Sequence, residues 1–154
     1  MLMTVCRRYV QDEATAKDVL QETLIRIFKY INKYEAHGSF EAWIRKIALR
    51  CSLDWLDKRY FKVESSVQDL PETRAFQPDV FSRLHMEEII RLVQTLTPSL
   101  RTVFNLNVIE GYNHKEIAEM LQITESTSRA NLMRARQALQ QKLDEQYLKK
   151  HRSA

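Results

Sequence analysis

Apolar residues recur at spacings of three and four along most of the chain, the period of helices that each bury one face. Val19, Leu20, Thr23, Leu24, Ile27, Phe28 and Ile31 form a wide stripe, with Asp12 placed to cap the start of that helix. A second helix is predicted to carry Phe40, Trp43, Ile44, Ile47, Ala48, Cys51, Trp55 and Leu56, with Phe28 and Trp55 both serving as core. Between the two, 32–37 is polar, Gly38 offers a positive φ and Ser39 offers a cap. The periodicity fails over 61–80, where Ser65, Ser66, Pro71 and Pro78 fall, so these residues read as a tether. At about twenty residues it is longer than compact domains usually leave unstructured. The helical period returns with Leu84, Ile89, Ile90, Val93 and Leu96. Thr97 and Pro98 then read as a cap and a first-turn proline, opening a helix through Val103, Phe104, Leu106 and Val108. Gly111 sits where a glycine would end it.

The stretch 111–143, GYNHKEIAEMLQITESTSRANLMRARQALQQKL, contains two helices joined by a very short turn. Asn113 can cap the first, with Glu116 reaching back in a variant of the capping box, and Ile117, Ala118 and Leu121 share its buried face. Gln122, Ile123 and Thr124 break the pattern, and Thr124 can cap the second helix. From Ser126 to Lys142 that helix carries Arg129, Arg134, Arg136 and Lys142 and no acidic residue. A short amphipathic helix, a three-residue turn and a basic helix suit a helix-turn-helix that lays its second helix in the DNA major groove. The ordinary alternative is a helical hairpin with a solvated basic face. The capping, the short turn and the missing acids together favour DNA.

Composition narrows the class without deciding it. Two glycines, three prolines and 29% charged residues in 154 suit an α-rich protein with short connections. The net charge of +4 permits a polyanionic partner without requiring one. Charge placement says more: Arg45, Lys46, Arg50, Lys58, Arg59 and Lys62 cluster against only Asp54 and Asp57. Cys6 and Cys51 lack metal-ligand spacing, the four histidines are scattered, and no Gly-rich phosphate loop or nucleophile motif occurs. Neither metal, cofactor nor enzymatic activity is therefore expected. No apolar run approaches the roughly 18 residues that span a bilayer, so a cytoplasmic protein without membrane insertion is expected.

Two longer segments carry a resemblance. LTPSLRTVFNLNVIEGYNHKEIAEMLQITESTSRANLMRARQAL has a Leu-x-Pro opening, a helix ending at Gly, an x-E-I-A-E-x-L helix and a terminal R-A-R. Upstream lie AKDVLQETLIRIFKYINKY and GSFEAWIRKIALRCSLDWLDKR. In this order they resemble regions 4 and 2 of the extracytoplasmic-function sigma factors, the small specificity subunits of bacterial RNA polymerase. The fold expected is all-α, two small helical domains joined by a flexible linker, the C-terminal one containing the helix-turn-helix. The expected boundaries are 1–60 for a region 2-like domain, 61–80 for the linker and 81–150 for a region 4-like domain. The chain departs from the family's pattern in several places. Its first helix begins later, so the stripe of Leu20, Leu24, Ile27 and Ile31 is expected to lose some cover. Gln122 replaces the usual turn glycine, Ser128 replaces an apolar residue and is expected to weaken packing, Ala130 and Asn131 replace a common Ser-Arg pair, and Arg50 stands where Asn is frequent.

The resemblance implies a protein that directs core RNA polymerase to promoters and helps to open them. The second helix would read the minus-thirty-five element through Ser126, Thr127, Arg129, Ala130 and Met133. Arg129 would contact guanine, and Arg134 and Arg136 would hold phosphates. The minus-ten element would be bound as a single strand by His37, Gly38, Ser39, Phe40 and Trp43, with Arg45, Lys46 and Arg50, joined by Lys58 and Arg59, as its basic path. Asp18, Gln21 and Glu22, at i, i+3 and i+4, would meet the polymerase. An anti-sigma factor is a further partner expected from the resemblance alone. The competing class is a stand-alone helix-turn-helix regulator with an N-terminal sensing or dimerisation domain.

Overall fold

The structure, a computed structural model, describes residues 1–35, 38–56 and 86–152. The predicted tether at 61–80 and the basic residues Lys58, Arg59 and Lys62 lie outside the described residues, as does His37. The chain divides into two compact units, Met1–Glu64 and Ser65–Ala154. Among the described residues every regular element is a helix.

The first unit contains α1 (Leu2–Tyr9), α2 (Glu13–Tyr30), a single 3₁₀ turn (Ile31–Lys33) and α3 (Phe40–Leu56). Asp12 starts α2 as the sequence predicts, its carboxylate accepting from the Thr15 amide at 2.8 Å and the Thr15 hydroxyl at 2.6 Å. Each of the three helices packs on the other two. Val5, Cys6 and Tyr9 of α1 bury against Ala16, Val19, Thr23 and Ile27 of α2 and Ala48, Cys51, Ser52 and Leu56 of α3. Two hydroxyls in this core are satisfied within their own helices, Thr23 donating to the Val19 carbonyl at 2.7 Å and Ser52 to that of Ala48 at 2.8 Å.

Several expectations for this unit are corrected. Phe28 is not core: it is 74% exposed. The inward arc of α2 is set by Ala16, Val19, Thr23 and Ile27, and the next residue turns about 100° away from it. Trp55 is half-buried rather than fully core. Leu24 and Ile31 remain exposed, Leu20 is half-buried and Ile27 is covered. Gly38 does not adopt a positive φ; among the described glycines Gly111 alone does. The Gly38 carbonyl instead accepts the Tyr34 hydroxyl at 2.6 Å, closing the loop before α3.

The second unit contains α4 (Met86–Gln94), α5 (Pro98–Phe104), a π turn (Asn105–Ile109), α6 (His114–Leu121) and α7 (Glu125–Arg152). Leu92, Val93, Leu96, Val103, Phe104 and Leu106 bury with Ile117, Leu121, Leu132, Ala135, Leu139 and Leu143. Thr97 occupies the cap position of α5, but its side chain makes no capping bond. Pro98 supplies the helical φ there and removes one of the amides that the first turn leaves unpaired. Arg101 is buried and turns its guanidinium back to the Gln94 and Leu96 carbonyls, at 3.2 and 3.4 Å, closing the end of α4. Gly111 has φ +80° just after the π turn, the left-handed end that its position predicts.

Candidate nucleic-acid interface

Local sequence builds the pair α6–α7 almost bond by bond. Asn113 accepts from the Glu116 amide at 3.0 Å and the Glu116 carboxylate accepts from the Asn113 amide at 2.8 Å, the reciprocal cap that the spacing predicts. Gln122 ends α6 in the left-handed region, φ 54° and ψ 40°. Thr124 then caps α7, its hydroxyl accepting from the Thr127 amide at 3.0 Å. Placing a non-glycine residue in the left-handed region costs about 1–2 kcal/mol, of which glycine's greater unfolded-state entropy would return about 0.4–1. Gln122→Gly should therefore stabilise the second unit by roughly 0.5–1 kcal/mol, raising its melting temperature by about 2–8 °C. Differential scanning calorimetry checks this, and an unchanged melting temperature would show that the turn carries no such strain.

The inward face of α7 is Ser128, Leu132, Ala135, Leu139 and Leu143. Ser126, Arg129 and Met133 face solvent, while Thr127, Ala130, Arg134 and Arg136 are half-buried. Met133 is 45% exposed, an apolar group held on a polar face as a thymine-methyl contact would require. Two expectations about this helix change. It begins at Glu125, whose carboxylate takes the Arg129 guanidinium at 2.6 Å, and it runs on through Asp144 and Glu145. The basic face is thus acid-free only between those residues, and Arg129 is braced by a neighbour one turn back. Such an exposed pair is worth only about 0.2–1 kcal/mol, so the guanidinium can be drawn to another acceptor at small cost. Ser128, in turn, leaves no apolar gap: it is fully buried and its hydroxyl lies 2.9 Å from Nδ1 of His114. Burial, followed by the charges of Arg129 and Arg136, holds the His114 imidazole below its usual pKa.

In the first unit an aromatic cluster stands at the start of α3. The ring of Tyr34 lies 5.3 Å from that of Phe40 and 5.4 Å from that of Trp43, and Phe40 and Trp43 are 5.8 Å apart with planes inclined by 27°. Gly38, Ser39 and Phe40 are exposed and Trp43 is half-buried. Trp43, Lys46 and Arg50 fall at i, i+3 and i+7 and so share a face of α3. Arg45 is separated from them, half-buried and paired with Glu41 at 3.7 Å. Tyr34 escaped the sequence reading; the aromatic spacing across Gly38 was its only signal.

On α2, Asp18, Gln21 and Glu22 are all exposed. The same face continues at i+7 and i+10 with Ile25, 61% exposed, and Phe28. Two large apolar side chains opposite the core, next to three polar ones, have the composition of a docking surface. Sequence reading assigned Phe28 inward and gave Ile25 no role. Arg26 braces the edge of this face, its guanidinium reaching Glu22 at 2.7 Å and Asp54 of α3 at 2.6 Å.

Two family descriptions match the chain: Sigma-70 region 2 over residues 1–61 and Sigma-70, region 4 over residues 86–139. The chain belongs to the sigma-70 family and carries these two regions in order. Within that family it is an extracytoplasmic-function sigma factor, a subunit that directs core RNA polymerase to promoter DNA for transcription initiation. The RNA polymerase sigma-H factor of Pseudomonas aeruginosa is 25% identical over 153 residues, spanning 88% of this chain and 77% of that protein. The ECF RNA polymerase sigma factor SigM of Bacillus subtilis is 29% identical over 133 residues, spanning 84% of this chain and 80% of that one. The sigma factor RpoE of Bartonella quintana, solved with the anti-sigma factor NepR, shares the fold. Its TM-score is 0.57 at 21% identity, over 93% of this chain and 89% of that one. The two regions together leave the stand-alone regulator without support. Among the described residues no helix is long and apolar enough to cross a membrane, and no cluster of His, Cys, Asp and Glu could hold a metal ion.

Proposed function

We propose that the two units divide the work, 1–60 docking on polymerase and binding the minus-ten strand, 81–150 reading the minus-thirty-five element, with 61–80 as the tether. The carrying observation is the solvent face of α7, where Ser126, Arg129 and Met133 project beside Arg134 and Arg136. Arg129 reads a guanine edge after exchanging Glu125 for the base, Met133 meets a thymine methyl, and Ser126, Thr127 and Ala130 line the same side. Arg134 and Arg136 hold phosphates and set register. Two weak DNA contacts on one chain raise each other's effective concentration when the tether spans them.

The aromatic cluster is the stacking platform for the minus-ten strand. Phe40 and Trp43 receive bases above Gly38 and Ser39, His37 belongs to the same loop, and Lys46 and Arg50 track the phosphates. Arg45, turned away and paired, takes a lesser part. Asp18, Gln21 and Glu22 form the polymerase face, now extended by Ile25 and Phe28. Work in the cytoplasm and control by an anti-sigma factor follow from the same reading, the latter supported by the NepR complex of the Bartonella relative.

The test is Arg129→Ala. Binding of the holoenzyme to a set of promoters varied in the upstream element should weaken, and discrimination at one base should fall by about 1–3 kcal/mol. An equal loss on every sequence would reassign Arg129 to phosphate contact.

A further inference from the structure

His114 opens α6, and α6 packs on α7. Its Nδ1 is engaged by the Ser128 hydroxyl at 2.9 Å, an attachment across 14 residues that fixes the ring against the reading helix. Among the described residues no hydrogen bond is formed at Nε2, and that atom is not among the buried unpartnered ones. Arg129 and Arg136 act on the ring from α7, and so does Glu125 with the opposite sign; on its own helix the charged neighbours are Lys115 and Glu116. A half-buried imidazole that feels the charges of two arginines, at the amino end of a helix, is a setting that favours an anionic oxygen.

We propose that His114 is a proton-linked contact to the DNA backbone, with Ser128 holding Nδ1 so that Nε2–H donates to a phosphate oxygen flanked by Arg129 and Arg136. This rests on the reading of α7 as the minus-thirty-five helix and adds a residue from α6. Both protonation states fit the geometry. In the neutral ring Nδ1 accepts from Ser128 and Nε2–H donates outward; in the imidazolium both nitrogens donate, and Ser128 becomes the acceptor. DNA therefore changes the charge of the ring without breaking its support.

The sign follows from the surroundings. In the free protein, burial and the two arginines keep the ring neutral at neutral pH. An approaching phosphate offsets both arginines and raises the imidazole pKa in the complex. The complex then binds more protons than the free protein, so affinity rises as pH falls through the bound-state pKa. The rise stops below the free-state pKa, where both forms are charged.

The experiment is fluorescence anisotropy of the full chain with core polymerase on labelled promoter DNA between about pH 6 and about pH 8, either side of the ordinary histidine pKa. The affinity ratio of wild type to His114→Gln cancels titration elsewhere in the complex. That ratio should grow as pH falls, with a slope of at most about tenfold per pH unit, the limit for one proton. His114→Lys, charged throughout, should bind tightly with no such slope. Ser128→Val, which leaves the ring unattached, should reduce it. A wild-type to His114→Gln ratio that is flat with pH overturns the proposal. Wild-type holoenzyme indifferent to the upstream sequence at every pH would instead overturn the underlying assignment of α7, and the inference with it.

Discussion

Asp18→Lys combined with Glu22→Lys should abolish association with core polymerase and leave the helical circular dichroism signal unchanged. Both carboxylates are exposed, so the fold does not depend on them; what is lost within the protein is the bond from Arg26 to Glu22. That pair contributes at most about 1 kcal/mol. At a desolvated interface the same reversal places like charge against whatever cation the carboxylates meet, which costs several kcal/mol. Association should fall by about a thousandfold or more, since every 1.4 kcal/mol is a factor of ten. Phe28→Ala extends the test to the apolar part of the face. A ring 74% exposed contributes little to folding but can anchor an interface at about 2 kcal/mol or more. Undiminished capture of core enzyme by the double variant would refute the docking assignment of α2.

A second large effect is expected at the start of α3. Phe40→Ala should leave promoter binding by the upstream helix intact and impair strand opening. Stacking of one base on an aromatic ring is worth about 1–3 kcal/mol, so occupancy of the opened state should drop by roughly 5- to 150-fold. Phe40 is the informative member of the cluster because it is exposed, whereas Trp43 and Tyr34 are half-buried and their removal would also loosen packing. Permanganate reactivity of unpaired thymines in the minus-ten region measures the effect. Wild-type reactivity with Phe40→Ala would assign the three rings to packing alone.

What could be read in advance was local. Asp12, Asn113 with Glu116, Thr124 and Gly111 act within a few residues of themselves, and each does in the structure what its spacing predicts. The broad stripe of α2 was legible as a helix but not in its orientation, because a wide stripe leaves its edge undetermined until the neighbours dock. Phe28 went to the wrong side for that reason, and the exposed face of Asp18, Gln21 and Glu22 was seen without its apolar half. Gly38 shows that freedom to adopt a positive φ is not a requirement to do so. Thr97 shows that a residue can hold a cap position without its side chain making the capping bond. The contact between His114 and Ser128 spans 14 residues and depends on how α6 crosses α7, which no spacing encodes. Glu125 was legible but overlooked: once Thr124 is the cap, the next residue is the first of the helix, and its bond to Arg129 one turn later follows from helical geometry.

The buried pair Cys6 and Cys51 has a practical consequence. They are the chain's two cysteines, and both lie in the first unit. Burial pushes both thiols above their ordinary pKa, so in the folded unit neither is accessible and neither has appreciable thiolate character. A thiol-modifying reagent must wait for the three-helix core to open. The second unit contributes no signal, so the labelling rate of the unmodified chain, compared with that of an unstructured thiol, becomes a clock for the opening of one half of the molecule. Run with and without core polymerase, that clock would report in free-energy terms how far binding of the polymerase steadies this core.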